Sequence, residues 1–133
     1  MRRMTVIATL LTVLAACSDS LSPEDLVGTW TGTTSQGRAM GFTVTGAGLT
    51  GASLSYHLDG TFCSYDSQME FSLGTPIEII DLEFEALNFT IGVGKTLTVS
   101  GQFTSASEAS GSASISDSDC SGTATFTWTA GKH

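Results

Sequence analysis

Groups able to do chemistry are few in this chain. Nucleophilic catalysis by a serine needs an imidazole as general base, and only His57 and His133 occur. His133 is the last residue, and His57 follows Ser53 and Ser55 on the polar side of its run, which reads as solvent-facing. No Gly-x-Ser-x-Gly elbow is present, and no Gly-x-Gly-x-x-Gly leads into a helix. Carboxylates are the plentiful reactive groups. Asp81, Glu83 and Glu85 recur at a spacing of two, on one face of a strand. Glycoside hydrolysis uses two carboxyl groups about 5 to 9.5 Å apart across a cleft. Here the aromatic residues fall on the opposite, inward face, so the three acids read as a solvated face that discourages edge pairing.

Calcium is the more credible ionic ligand, because it takes six to eight oxygens. Asp117-Ser118-Asp119 offers two carboxylates in a turn, and Asp59 and Asp66 flank Cys63. A bond between Cys63 and Cys120 would draw these four acids together. Two free thiols or a metal site are the alternatives for that cysteine pair, but two Cys with two distant His do not match a zinc spacing. For an exported chain a disulfide is the natural reading. A cysteine nucleophile is then excluded. Alternating threonines, Thr29 to Thr33 and Thr123 to Thr129, fit half-exposed strands.

Composition narrows the classes further. The chain has 133 residues, with 5 Lys+Arg against 13 Asp+Glu and a net charge of -8. No basic surface is available to neutralise a run of phosphates, so nucleic acid is not expected as a partner. At 41% apolar and 14% charged the chain is that of a folded domain, and its length suits one.

The first residues carry an address. Arg2 and Arg3 precede an apolar run from Met4 to Ala16, too short to span a bilayer and suited to a signal-peptide core. The run ends Leu14-Ala15-Ala16-Cys17, followed by Ser18-Asp19-Ser20. This resembles the lipobox of bacterial lipoproteins, in which the cysteine is lipidated and becomes the mature N-terminus. The alternative is an ordinary cleaved signal. The resemblance implies a signal peptide at 1–16, lipidation at Cys17, a tether over 17–25 and anchoring in the bacterial cell envelope. Ser18, where a retention signal would have Asp, favours the outer membrane if the host has one. The mature chain would keep three cations, Arg38, Lys95 and Lys132, against 13 acids. Acyl chains rather than charge would therefore hold it to the membrane.

These groups must be positioned by strands. Ser22-Pro23-Glu24-Asp25 reads as one capped helical turn. From Leu26 on the period is two. The apolar sets include Met40/Phe42/Val44, Leu54/Tyr56/Leu58, Met69/Phe71/Leu73, Ile80/Leu82/Phe84, Phe89/Ile91/Val93, Leu97/Val99/Phe103, Ala113/Ile115 and Ala124/Phe126/Trp128/Ala130. Turn signals fall between them, and one face of each run is polar, as in antiparallel sheets with a wet side. The stretch 103–116, rich in Ser, Ala and Gly, reads as a thin edge strand or a loop.

Leu26-Val27-Gly28-Thr29-Trp30 resembles the Gly-x-Trp opening of lipocalin- and avidin-like barrels, whose Trp plugs one end. Gly28 to Gly51 is similar to an avidin opening, but Trp30 and Trp128 are the only tryptophans, too few for a biotin pocket. No site residue carries over.

The expectation is an all-β antiparallel domain over 26–133. It is a two-sheet β-sandwich of eight to ten short strands, with a closed lipocalin- or avidin-like barrel as the alternative. In function it is a non-enzymatic, lipid-anchored envelope protein with a binding or structural domain and no resident cofactor beyond the candidate calcium. The alternative is a carrier holding a small apolar ligand inside a barrel.

Overall fold

The computed structural model describes residues 21–133; Cys17, the apolar run and the first residues of the tether lie outside them. A 3-10 turn, Pro23–Leu26, comes first, and its Asp25 carboxylate accepts from the Ser22 backbone N–H at 2.9 Å and hydroxyl at 3.1 Å. Eight strands follow: β1 (Gly28–Thr34), β2 (Ala39–Thr45), β3 (Gly48–Asp59), β4 (Ser64–Ile77), β5 (Glu83–Gly92), β6 (Lys95–Ser105), β7 (Glu108–Asp117) and β8 (Gly122–Lys132).

All eight belong to one antiparallel sheet in the order β4-β3-β2-β1-β8-β7-β6-β5. The all-β, antiparallel expectation holds, but one sheet forms rather than two. The architecture is the barrel alternative, nearly closed, and not the two-sheet sandwich. The reason is the pairing of β1 with both β2 and β8. Trp30 lies opposite Phe42 on one side and Lys132 on the other, so the chain's two ends join the halves into one surface. Register shifts at Thr43/Val44, Leu49/Gly51, Ala86/Phe89 and Phe103/Ser105 bend the strands, and bulges of this kind increase twist and curl a sheet.

The inward faces fill the barrel. Trp30 is fully buried, stacks on Phe42 at 5.7 Å and meets the edge of Phe103 at 5.0 Å. Its indole N–H donates to the Leu26 carbonyl at 2.9 Å, so the N-terminal turn and Trp30 together close one end. Phe84 stacks on Trp128 at 6.0 Å. Those rings lie over Gly101 and Gly111, which share their cross-strand row. A Cβ on Gly101 would come within 2.4 Å of Phe84, and one on Gly111 within 2.6 Å of Trp128. The Ser/Ala/Gly-rich stretch is therefore neither edge nor loop. It supplies β7, a central strand between β6 and β8, thinned to admit its neighbours' rings.

A second correction concerns residues 80–83. The alternation of Ile80, Leu82 and Phe84 suggests one strand, but Asp81 and Leu82 both have positive φ, 53° and 65°. They form a two-residue turn in which Ile80 and Glu83 exchange backbone hydrogen bonds at 2.9 and 3.0 Å. The strand starts at Glu83.

Candidate functional site

Strand alternation puts the N-terminal turn at one end of the barrel and four turns, 35–38, 60–63, 93–94 and 118–121, at the other. This distal end carries most of the candidate residues. Cys63 and Cys120 form a disulfide with Cα atoms 5.1 Å apart. It ties the β3–β4 turn to the β7–β8 turn, beside backbone bonds from Phe62 N to Cys120 O (3.0 Å) and Thr61 N to Ser121 O (3.2 Å). Ser118 N donates to Gly94 O at 2.9 Å, which adds the β5–β6 turn to the same platform. Phe62 and Val93 project from it, 75% and 91% exposed.

The disulfide forms, but the four carboxylates expected beside it do not converge. Asp117 points inward and is buried. Its carboxylate accepts from Tyr65 O–H at 2.7 Å, Asp119 N at 3.0 Å and Cys120 N at 3.3 Å. These donors, Tyr65 foremost, lower its pKa against the cost of burial. Burial first, with Tyr56 and the Asp117 pairing after it, raises the pKa of Tyr65, whose ring lies 5.3 Å from the Lys95 ammonium. Asp117 is thus the keystone of its turn, with its oxygens already engaged, while Asp119 is exposed. Among the described residues no group of three His, Cys, Asp or Glu is placed to hold a metal, so Asp59, Asp66, Asp117 and Asp119 do not make the expected calcium site.

Asp59 and Asp66 instead flank His57 on the outer face. His57 Nδ1 lies 2.8 Å from Asp66 Oδ1, and Nε2 lies 3.0 Å from Asp59 Oδ1. Arg38 Nη2 meets Asp66 at 2.7 Å, and Ser64 Oγ donates to Asp59 at 2.5 Å. Hydrogen bonding to Asp66, then to Asp59, raises the His57 pKa. Gln36 clamps the His57 backbone through two 2.9 Å bonds. Sequence reasoning placed His57 on the outer face but missed this cluster. What sequence alternation does not supply is the hairpin register, which sets His57 opposite Asp66. The imidazole is held in a sandwich between two carboxylates, and the Ser64 hydroxyl, which donates to Asp59 at 2.5 Å, also lies 3.4 Å from His57 Nε2.

The interior and the remaining acids complete the survey. A cavity of about 60 Å³ lies among Met40, Leu54, Phe71, Phe84, Phe89 and Val99, well below the roughly 300 Å³ at which ligand pockets begin. Glu83 and Glu85 stand on the outer face of β5 with Asp81 in the turn before them. Among the described residues no helix is long and apolar enough to cross a membrane. Compared with known proteins, the chain matches no family model, no curated protein and no solved structure.

Proposed function

We propose that this chain is a non-enzymatic, lipid-anchored protein of the bacterial cell envelope whose β domain binds or braces through its outer surface. The observation that carries this reading is the filled interior: with about 60 Å³ free, no apolar ligand of ordinary size fits inside. The small interior space argues against the carrier alternative and favours the outer faces and turns as the surface the domain uses.

The layout supports display. A tether from Cys17 would enter the domain at the end closed by Leu26 and Trp30. The disulfide-tied platform would then face away from the membrane. Loops held on a rigid scaffold are where recognition usually sits.

Membrane fractionation tests the anchor. The wild-type chain should partition with detergent, and Cys17→Ala should appear in the soluble fraction with its fold intact. A Cys17→Ala chain that stays membrane-bound overturns the anchoring. Titration with an apolar fluorescent probe tests the interior: no saturable uptake is expected, and one-to-one uptake would restore the carrier.

A further inference from the structure

The curled sheet has two unpaired edges, and they meet along one seam. Among the described residues β4 pairs only with β3, and β5 only with β6. Phe71 and Phe89 touch across the seam at 5.9 Å. Towards the end with the N-terminal turn, an open groove of about 1100 Å³ runs from Thr75–Glu78 past Glu83–Phe89 and on over β6 and β7 at Ser100–Gln102 and Ser110–Ser112. Ile77, Phe84 and Phe89 give it an apolar wall, and Ile80 and Leu87 stand at its lip, 60% and 64% exposed. Scattered single apolar residues on a surface need no explanation, but a contiguous set at an open sheet edge does.

Charge indicates what would cover it. Glu78, Asp81, Glu83 and Glu85 line the groove, and no Lys or Arg does. The described cations are engaged elsewhere: Arg38 on Asp66, Lys95 over Tyr65, and Lys132 on the Asp25 carbonyl. A second copy would bring the same four acids and a net charge of -8 against this one, which opposes self-pairing. The two edges also differ. Pro76 removes a backbone donor from β4 within the groove, whereas β5 from Glu83 to Phe89 contains no proline.

We propose that this groove binds an extended polypeptide segment with alternating cationic and apolar side chains, added as a ninth strand along the free edge of β5. Side chains on a strand alternate between faces. One set would enter the apolar side beside Ile77 and Phe89. The other would meet Glu83 and Glu85, with Glu78 and Asp81 at the end. Main-chain hydrogen bonds supply affinity in this mode and the alternate side chains supply specificity. The proposal rests on the reading of the domain as a surface-binding module and names the partner's chemistry.

The probe is a labelled nine-residue peptide alternating Lys and Val, titrated by fluorescence anisotropy into the detergent-solubilised full chain. Saturable one-to-one binding that weakens with salt is expected. Methylating alternate peptide nitrogens should weaken it about tenfold or more, as should the double substitution Glu83→Lys with Glu85→Lys. Both substitutions are at exposed positions, and the methylated peptide leaves the protein untouched. No binding by about 1 mM peptide, equal binding of a Glu/Val peptide, or indifference to methylation would each overturn the ninth strand. So would sedimentation showing dimers that Leu87→Lys dissolves, because the occupant would then be a second copy. None of these outcomes alters the fractionation or interior results, so this proposal can fail while the anchored, filled-barrel reading stands.

Discussion

His57 gains from holding its proton. Its pKa is raised from 6.5, first by the hydrogen bond to Asp66 and then by that to Asp59; Asp66 is lowered foremost by His57, and Asp59 first by the Ser64 hydroxyl and then by His57. A group whose folded pKa exceeds its unfolded value stabilises the fold fully below the unfolded value. That contribution is lost as pH rises through the folded value. Melting temperature should therefore fall as pH climbs from below 6.5 through the raised value, and His57→Gln should flatten that slope. An unchanged slope in the variant would show that the sandwich does not couple to folding. The acids contribute with the opposite sense, present above their unfolded value and lost on acidification. Much of this was within reach of the sequence: Ser55, His57 and Asp59 share a face by simple alternation. The partner across the hairpin was not, because a register depends on the turn, and the 60–63 turn has no signature that fixes it. Asp117 was misjudged for a related reason. A carboxylate in an acidic turn reads as solvated, but the inward-facing Tyr65 hydroxyl, 52 residues away in sequence, joins the Asp119 and Cys120 backbone N–H groups in making its burial tolerable.

At the scale of elements, alternation located most of the strands, and it failed where a strand's character is set by its neighbours. β7 contributes Ala109, Gly111 and Ala113 to the interior. Small residues look like a weak strand when read along the chain. Across it, they answer Phe84 and Trp128. Substitution tests that complementarity. Gly101→Ala places a methyl group where the Phe84 ring now lies, 2.4 Å from the nearest ring atom, and the ring is held in turn by Trp128 and Phe103. Overpacking of this kind typically costs about 1 to 3 kcal/mol. The urea midpoint should fall with an unchanged slope, whereas Ser100→Ala, one residue away on the outer face, should be close to neutral. Equal behaviour of the two would mean that the row is loosely packed. The Asp81-Leu82 turn escaped for another reason. Two-residue hairpin turns with positive φ are usually announced by Asn-Gly or Asp-Gly, and Leu82 continues the apolar period through the bend.

At the scale of the whole molecule, the alternation that indicates a half-buried sheet is the same for a sandwich and a barrel, so sequence pattern alone left both open. The choice is made by β1 pairing with β8, a contact between the two ends of the chain. The Cys63–Cys120 bond acts at this same level. In the sheet, β3 and β8 are separated by β2 and β1, so the link between the β3–β4 and β7–β8 turns spans the mouth of the barrel, where it reinforces the short Gly60–Gly122 bridge and its flanking backbone bonds. That matters because the β4–β5 seam closes through side chains and not through backbone bonds. The bond joins residues 57 apart in sequence, and in the loop-entropy account a closure of that length constrains the unfolded chain by about 4 kcal/mol, less any strain in the folded state. Domains of this size hold about 5 to 15 kcal/mol in all. Replacing both cysteines by alanine avoids leaving a lone thiol. The double variant should lose a few kcal/mol in denaturant unfolding. Its amide protection should drop first in the 60–63 and 118–121 turns, while the β1–β2 and β1–β8 ladders remain protected until global unfolding. A loss below about 1 kcal/mol, or uniform loss of protection, would show that the turns hold the distal end through their backbone bonds and that the disulfide adds little to the barrel's closure.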